Sequence, residues 1–208
     1  MAYPGAMDRI ALVTGAGSGI GRAVAIRLSQ AGLRVVLAGR GAGALAVTAA
    51  ACRGPTLAVP ADVTDPAAVD RVFGQVEHDW GPVEVLIASA GAGYSARIGE
   101  PYLAAYTASK HGVLGLVRAA AAELAGTGVT VNAVCPGFVD TPMTSATIAN
   151  IVTRTGRTSD QARSALEARQ PIGRLITPEE VAGAVWFCVA SDSVTGQAIN
   201  VDGGTVQS

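Results

Sequence analysis

The sequence has few aromatic and few charged side chains, and this shortage limits what kind of protein it is. Aromatic residues make up 4% of the 208 residues and charged residues 15%, whereas hydrophobic residues make up 50%. A chain with this balance is compact rather than disordered. Because aromatic residues are scarce, Ala, Val, Leu and Gly must fill the core. The 26 glycines suit a domain with many tight strand-to-helix turns.

The chain also lacks a strong charge, a cysteine framework and a long apolar run. Its net charge is −1 without an acidic or basic block, which argues against nucleic acid or an anionic membrane as the main partner. Cys52, Cys135 and Cys188 have no metal-type spacing, so we expect reduced thiols in a cytoplasmic protein. No stretch resembles a signal peptide or a membrane span.

Apolar strand patterns alternate with helical patterns along the chain. We predict strands at residues 9–13, 34–38, 56–59, 83–88, 129–134 and 198–201. We predict helices at 19–31, 43–52, 66–80, 104–125 and 178–190, with Asp65 and Thr177 as N-caps and Gly32 as a left-handed cap. This alternation predicts an α/β fold with a Rossmann-like, doubly wound parallel sheet. No linker or repeat is visible, so we expect a single domain over residues 1–208.

A glycine-rich stretch follows the first predicted strand and opens the first predicted helix. Its glycines are Gly15, Gly19 and Gly21. A dinucleotide site needs glycines here for a tight turn, for close approach of the backbone to a pyrophosphate, and for close helix–strand contact. A glycine-rich turn alone is often structural, but the strand–helix–strand context favours a dinucleotide-binding domain.

The second strand ends at Gly39-Arg40, where an acidic residue would favour NAD(H) by binding the ribose 2′-hydroxyl. No carboxylate is present, and the Arg40 guanidinium can pair with a 2′-phosphate. This favours NADP(H), with NAD(H) still possible and a solvated surface arginine as the alternative. After the third strand, Asp62 could accept a hydrogen bond from the adenine amino group, or it could simply form a turn.

Tyr106 and Lys110 lie four residues apart in YTASK and therefore share one face of a helix. A lysine ammonium beside a phenol favours the phenolate, so Tyr106 could move a proton near neutral pH. Taken alone, this spacing usually marks a solvated helix face, and its catalytic interpretation depends on the other motifs.

Together these motifs resemble the short-chain dehydrogenase/reductase family, and they are similar in particular to 3-oxoacyl reductases and bacterial ketoreductases. The resemblance extends over nearly the whole chain. It rests on TGAGSGIG at 14–21, Asp62-Val63, SAG at 89–91, YTASK at 106–110, NAVCPGFVDTPM at 132–143, PIGRLITPEEVA at 171–182 and INVDGG at 199–204.

The resemblance implies hydride transfer between a nicotinamide and a ketone or secondary alcohol, in a homotetramer or homodimer. It implies Tyr106 as general acid/base and Lys110 as its partner. The implied cofactor-binding residues are Gly15, Ser18, Gly19, Ile20, Gly21, Arg40, Asp62, Val63, Ala90, Gly91, Tyr106, Lys110, Pro136, Gly137, Val139 and Thr141.

The chain departs from the family pattern after the fourth strand. The family's Asn-Asn-Ala-Gly is Ala88-Ser89-Ala90-Gly91 here, so the side-chain contacts of the Asn pair are lost although the backbone turn can persist. In addition, roughly 40–50 residues, about the size of a βα crossover, are missing before YTASK. In the family that segment carries a central strand, a catalytic Asn and a catalytic Ser.

The junction falls near Ser95-Ala96, and Ser95 is the nearest hydroxyl that could replace the catalytic Ser, the alternative being an ordinary loop serine. Three explanations are open: an internal segment of a longer protein is absent from this chain, the segment is truly deleted, or the chain is a natural short variant. We favour the first, because a sheet without its central strand has a costly unpaired edge. The alternative functions are an NADP-binding protein without catalysis and an inactive fragment.

The polar stretch at residues 144–170, which we expect to be irregular and only partly helical, is predicted to be a substrate lid. Its Arg154, Arg157 and Arg163 could contact an acyl-carrier or coenzyme A phosphate, or they could be solvated surface charges. Its apolar residues favour a medium-sized apolar ketone, and they are Ile148, Ile151, Val152 and Leu166.

Overall fold

The computed structural model of the chain describes residues 8–90 and 104–206, without the side chain of Tyr106. Strands and helices alternate through both ranges. The strands are β1 Ile10–Thr14, β2 Arg34–Gly39, β3 Thr56–Pro60, β4 Val85–Ala88, β5 Ala133–Pro136 and β6 Ala198–Val201. The helices are α1 Gly19–Gln30, α2 Ala42–Ala51, α3 Pro66–Asp79, α4 Ala104–Leu124, α5 Pro142–Thr155, α6 Ser159–Glu167 and α7 Pro178–Val189, with a 3₁₀ turn Ala125–Thr127 after α4.

The chain forms two compact units, Met1–Gly91 and Ala92–Ser208. In the first unit, four parallel strands form a sheet in the order β3-β2-β1-β4. Strand β1 lies between β2 and β4, with Leu12 opposite both Val36 and Leu86. Parallel strands joined by helices confirm the predicted α/β class.

The sheet of the first unit is covered by helices on both faces, since successive residues of a strand point to opposite sides. Leu12 and Val36 belong to a buried cluster with Val76 of α3. Helix α1 contacts β1 and β2 and buries Val24 and Leu28, which lie outside that cluster. Helices on both faces are the doubly wound arrangement that the sequence predicts.

The second unit contains a pair of parallel strands, β5 and β6, with Ala133 opposite Ala198 and Pro136 opposite Val201. Helix α7 packs on both strands. In this unit α4 is the longest helix, with 21 residues. Within the two described ranges, no helix combines the length and apolar character needed to cross a membrane.

The predicted helix ends are confirmed where a specific cap defines them. The Asp65 carboxylate accepts a hydrogen bond from the Ala67 amide at the start of α3, with Pro66 in the first turn. At α7, Thr177 and Glu180 form a reciprocal capping box. Gly32 has a φ of 99°, as its predicted left-handed cap requires.

The prediction for the fifth strand is wrong at both ends, because β5 begins at residue 133 rather than 129 and includes Pro136. The residues just before Ala133 are not part of the strand, and they form hydrogen bonds with the loop that precedes β6. The Val131 amide donates to Thr195 Oγ1 at 3.1 Å, and the Asn132 side chain donates to the Val194 carbonyl at 2.7 Å. Alternating apolar residues there gave a strand pattern, but the partner decides where pairing begins.

The segment predicted as an irregular lid is mostly helical. Helices α5 and α6 cover most of residues 142–167. Helix α5 has Thr141 as its N-cap, whose side chain accepts from the Thr144 amide, and α6 starts with a capping box of Thr158 and Gln161. These polar residues satisfy backbone N–H groups at helix starts, so the polarity that suggested irregular structure belongs to the caps.

Candidate active site

The glycine-rich turn between β1 and α1 needs its glycines for two different reasons. Gly15 and Gly19 have φ values of 68° and 51°, in the left-handed region that side chains disfavour. At Gly21 the obstacle is space, because a Cβ atom would overlap the carbonyl oxygen of Gly15. The turn therefore closes tightly on the start of the helix, as a dinucleotide-binding turn does.

Ser18 is the N-cap of α1 and has an extended backbone, with φ of −161° and ψ of 171°. Its side chain forms no capping hydrogen bond, although serine usually caps the first turn. Amide N–H groups at a helix start favour an anion. The end of α1 that contains Ser18 and Ile20 thus fits a phosphate group.

A second turn lies directly beside the glycine-rich turn, at the end of β4. The hydroxyl oxygen of Thr14 accepts hydrogen bonds from the amides of Ser89 at 3.2 Å and Ala90 at 3.1 Å. A Cβ atom on Gly15 would lie 3.1 Å from the Ala90 Cα. The backbone turn therefore persists at Ser89-Ala90 without the family's Asn pair, while Gly91 lies outside the described residues.

Arg40 is exposed and directly follows β2. The Ala16 amide donates to the Ala38 carbonyl at 3.1 Å, so the glycine-rich turn lies against the end of this strand. Gly39 has no side chain, and its nearest neighbours include the Gly17 amide nitrogen, 3.9 Å from its Cβ position. The nearest atom to that position is the Leu45 Cδ2, at 3.4 Å, so Arg40 follows a strand end that packs against the glycine-rich turn and α2.

Asp62 is exposed, and its carboxylate accepts from the Thr64 amide at 3.0 Å and from the Thr64 hydroxyl at 2.8 Å. These bonds, together with the positive charge of Arg40, hold the pKa of Asp62 below its usual value. Such a turn is what the alternative interpretation of Asp62 predicts. Val63 beside it is 39% exposed.

The second unit contains the predicted catalytic pair on α4. Tyr106 and Lys110 lie one helical turn apart, and Lys110 is half-buried. The side chain of Tyr106 and all of Ser95 lie outside the described residues. The His111 imidazole Nδ1 is 3.0 Å from the Thr107 carbonyl oxygen, so this ring nitrogen interacts with its own helix.

The turn after β5 is tightly packed. A Cβ atom on Gly137 would overlap the side-chain oxygen of Gln170 and lie 3.1 Å from the Asp202 Cα. Gln170 is only 1% exposed. Its amide oxygen accepts from the Phe138 N–H at 2.9 Å, and its amide nitrogen donates to the carbonyls of Phe138 at 3.2 Å and Arg174 at 2.7 Å. Only glycine fits this position.

The same turn then leads into α5. Val139 is 5% exposed and pairs with Ile176 in an isolated parallel bridge. Its carbonyl accepts from the Thr144 hydroxyl. Thr141 is half-buried and caps α5. The structure therefore brings Pro136, Gly137, Val139 and Thr141 together in one fixed turn.

The sequence does not identify Gln170 as a residue that holds this turn in place through hydrogen bonds. The segment was predicted as polar lid, and polar residues in lids are ordinarily exposed. The one available signal is its position directly before Pro171, where the chain turns after α6. Burial with three hydrogen bonds is a tertiary property that composition does not reveal.

The three arginines of the predicted lid are in different situations. Arg163 forms ion pairs with Asp140 at 2.7 Å and with Glu167 at 3.0 Å, and these hydrogen bonds raise its pKa. Arg154 and Arg157 are exposed. Arg163 therefore has acidic partners within the protein, which favours the structural alternative for that residue.

The apolar residues of the lid are partly covered. Leu166 is 5% exposed, and Ile148, Ile151 and Val152 are half-buried. In the described part of the chain, no group of three or more His, Cys, Asp or Glu residues is arranged to hold a metal ion.

Comparison with protein families gives two adjoining matches. Residues 9–100 match the model described as short chain dehydrogenase. Residues 92–206 match the model described as enoyl-(acyl carrier protein) reductase. The two matches overlap at residues 92–100, the region of the junction near Ser95-Ala96.

Individual relatives agree with these matches. The cis-4-hydroxycyclohexanecarboxylate dehydrogenase of Sinomonas cyclohexanicum is 34% identical, over 95% of this chain and 96% of that protein. The 3-oxoacyl-(acyl-carrier-protein) reductase MabA of Mycobacterium tuberculosis is 34% identical, over 98% of this chain and 95% of MabA. A crystal structure of an actinorhodin polyketide ketoreductase variant with NADPH superposes with a TM-score of 0.90 and 32% identity, covering 99% of each chain.

The alignments also show that the relatives are longer within the matched region. The alignment with the Sinomonas dehydrogenase spans 252 positions, which is 44 more than the 208 residues of this chain. Because 95% of this chain, about 198 of its 208 residues, is aligned, about 54 positions of the alignment have no counterpart here. This is slightly more than the roughly 40–50 residues of the missing crossover unit expected from the sequence.

Proposed function

The chain belongs to the short-chain dehydrogenase/reductase family and is an NAD(P)-dependent oxidoreductase, and we propose that it uses NADP(H) to interconvert a ketone and a secondary alcohol. The observation that carries the cofactor proposal is the exposed Arg40 at the end of β2, beside the glycine-rich turn. A guanidinium in this place can bind a 2′-phosphate in a bidentate manner. NAD(H), which lacks that phosphate, is the weaker alternative.

The first unit would hold the adenosine and pyrophosphate end of the cofactor. Gly15 and Gly19 have positive φ, Gly21 has no room for a Cβ atom, and Ser18 leaves the start of α1 without a side-chain cap. A pyrophosphate would fit against these N–H groups. The remaining proposed contacts of this unit are Ile20, Arg40, Asp62, Val63, Ala90 and Gly91.

The second unit would hold the nicotinamide end and the carbonyl substrate. Pro136, Gly137, Val139 and Thr141 form the turn that we assign to the nicotinamide side. We propose that the two units act as one dinucleotide-binding domain, with residues 144–170 as its substrate lid. The half-buried apolar side chains of α5 favour a medium-sized carbonyl compound, and the resemblance to MabA favours a 3-oxoacyl or similar substrate.

A nicotinamide cofactor, when bound to these residues, would supply hydride-transfer chemistry. The Tyr106 phenol donates its proton to the carbonyl oxygen as negative charge develops there. The Lys110 ammonium favours the phenolate through its positive charge. Ser95 is the proposed donor of a second hydrogen bond to the same oxygen, in place of the family's missing serine.

The reaction is tested by following NADPH oxidation with acetoacetyl-coenzyme A and with 4-oxocyclohexanecarboxylate. We expect ketone-dependent oxidation by the wild-type protein and none by Tyr106→Phe, which should still bind NADPH. An active Tyr106→Phe variant would rule out the assigned proton donor.

Cofactor choice is tested with Arg40→Gln. Loss of a charged hydrogen bond, worth roughly 1.5–3 kcal/mol, corresponds to about a 10- to 150-fold weaker affinity for NADPH, whereas affinity for NADH should hardly change. Arg53→Gln, at another exposed arginine of the first unit, serves as the control. Equal losses for NADPH and NADH would contradict the assignment of Arg40 to the 2′-phosphate.

A second function is favoured by the length difference of at least 44 positions from the relatives. Without the segment that carries the family's Ser and Asn, the protein would bind NADP(H) without efficient turnover. It would then show thermal stabilisation by NADPH but no ketone reduction. An inactive fragment would show neither. Intact mass spectrometry shows whether the assayed protein is this chain, which has a calculated mass of 20.8 kDa.

We further propose a cytoplasmic homotetramer or homodimer. Support comes from the family resemblance and from Cys52, Cys135 and Cys188, which are all free thiols. Burial raises the pKa of the Cys52 and Cys188 thiols, which keeps them unreactive. Light scattering on the eluted protein measures the assembly directly, and a monomeric mass would contradict it.

A further inference from the structure

We propose that Thr48 and Arg22 form a brace behind the glycine-rich turn and thereby set the affinity for the cofactor phosphates without touching them. They would be positioning residues, because their polar atoms bind main-chain carbonyls of the turn rather than a ligand. The inference rests on the proposed NADP(H) function, and it adds two residues that no motif of the sequence indicates.

Thr48 lies in the Ala-rich helix α2 and is 0% exposed. Its hydroxyl is 2.8 Å from the Ala16 carbonyl oxygen in the turn and 3.1 Å from the Ala44 carbonyl in its own helix. A helical threonine ordinarily bonds the carbonyl four residues earlier. Here the shorter contact reaches across to Ala16, so this hydroxyl connects α2 to the turn.

Arg22 completes the brace from the first turns of α1. Its Nε donates to the Thr48 hydroxyl at 3.2 Å, and its Nη2 donates to the Gly17 carbonyl. Because a hydroxyl can accept and donate at once, Thr48 Oγ1 accepts a hydrogen bond from the Arg22 Nε–H and donates one to the Ala16 carbonyl. Two successive carbonyls of the turn are thus held from one side.

Holding these carbonyls also orients the N–H groups that follow them. In a planar trans peptide, the carbonyl and the next N–H point in opposite directions. With the Ala16 and Gly17 carbonyls directed toward Thr48 and Arg22, the amides of Gly17 and Ser18 point away from the brace. An anion on that open side would find two donors already aligned.

The brace matters because the turn is rich in glycine. Gly15, Gly17, Gly19 and Gly21 all have more backbone freedom than other residues. Fixing flexible groups during binding weakens affinity, whereas groups that are already fixed avoid that cost. A turn held by Thr48 and Arg22 in the free protein therefore binds phosphate more tightly than the same turn without them.

The test measures the Kd for NADPH by fluorescence titration, together with the urea midpoint of each variant. Thr48→Val keeps the shape and removes the hydroxyl, and we expect about a 10-fold weaker Kd, which is ~1.4 kcal/mol. Thr48→Ser retains a hydroxyl and should restore most of the affinity. Thr56→Val, the same change at the start of β3, is the matched control and should bind like the wild type.

Arg22→Met provides an independent variant, because Arg22 is only half-buried and its removal disturbs packing less than a change at Thr48. If the two residues act as one brace, Arg22→Met and the double variant with Thr48→Val should weaken binding by similar factors. In the ketone assay, the KM for NADPH should rise while kcat changes little.

The outcomes separate this inference from the proposed function. If the wild-type protein binds NADPH but both single variants bind equally tightly, the brace is overturned even if their urea midpoints fall. Fully multiplicative losses in the double variant would also overturn it, since they indicate independent effects. If the wild-type protein binds no NADPH, the proposed function fails, and this inference fails with it.

Discussion

Replacing Gly21 by alanine tests the packing of the glycine-rich turn directly. An added Cβ at this position would overlap the carbonyl oxygen of Gly15 and would stand 2.7 Å from its carbonyl carbon. Real Cβ atoms do not approach backbone atoms so closely, and a backbone atom cannot rotate away as a side chain can. The turn must therefore move away from the start of α1.

The expected cost follows from these contacts. Forcing a methyl group into a well-packed site costs about 1–3 kcal/mol, and the general gain of alanine over glycine in a helix is at most ~1 kcal/mol. We expect a net loss of about 1–2 kcal/mol in the free energy of unfolding. NADPH binding should weaken as well, because the atoms displaced belong to the proposed phosphate site.

Gly74→Ala is the matched control, since Gly74 lies inside α3 with no atom within 4 Å of its Cβ position. It should stabilise the protein by about 0.5–1 kcal/mol. Both variants belong to the first unit, so urea unfolding curves compare the same part of the chain. With a slope of about 1–3 kcal/mol per molar urea, the midpoints should move in opposite directions. A Gly21→Ala midpoint at or above that of the wild type would refute the packing argument.

Other substitutions test separate features. For Glu180, the hydrogen bonds from Arg174 and the Thr177 amide lower its pKa from 4.5 to about 2. The stabilisation of the folded protein by ionised Glu180 is therefore complete above pH ~4.5 and is lost as the pH falls toward ~2. Urea midpoints of wild type and Glu180→Gln should differ near neutral pH and converge in acid, and a constant difference would contradict the pKa assignment. Gln170→Leu should lower the Tm, because it removes the partners of the Phe138 N–H and the Arg174 carbonyl, at roughly 1–3 kcal/mol for each unpaired group, whereas the Phe138 carbonyl keeps the Ile176 N–H; an unchanged Tm would contradict this. Thr14→Val should reduce thermal stabilisation by NADPH, because it removes the acceptor that holds two amides of the adjacent turn, and full stabilisation would count against that role.

Most helices and strands could be predicted from local sequence because each has a local cause. Asp65 followed by Pro66 starts α3, and Thr177 with Glu180 starts α7. These signals act within one turn of helix, so the sequence contains all the information they need. The parallel strands of the first unit were likewise predictable from short apolar runs between helices.

The failures occurred where a distant partner decides the outcome. The start of β5 depends on where β6 begins to pair and on a loop containing Thr195. Gln170 belongs to a polar segment by composition, yet it is buried against the turn after β5. Neither effect leaves a local pattern, because both depend on contacts between residues more than thirty positions apart.

The sequence by itself determined the α/β class, the glycine-rich turn, the arginine after β2 and the tyrosine–lysine pair on α4, because each depends on residue type and short spacing. Only the tertiary structure decided which side chains support that turn. Thr48 and Arg22 are separated by 26 positions, and only the packing of α1 against α2 brings their polar atoms to two successive carbonyls of the turn, those of Ala16 and Gly17. Their contact therefore results from helix packing, and the local sequence pattern does not predict it.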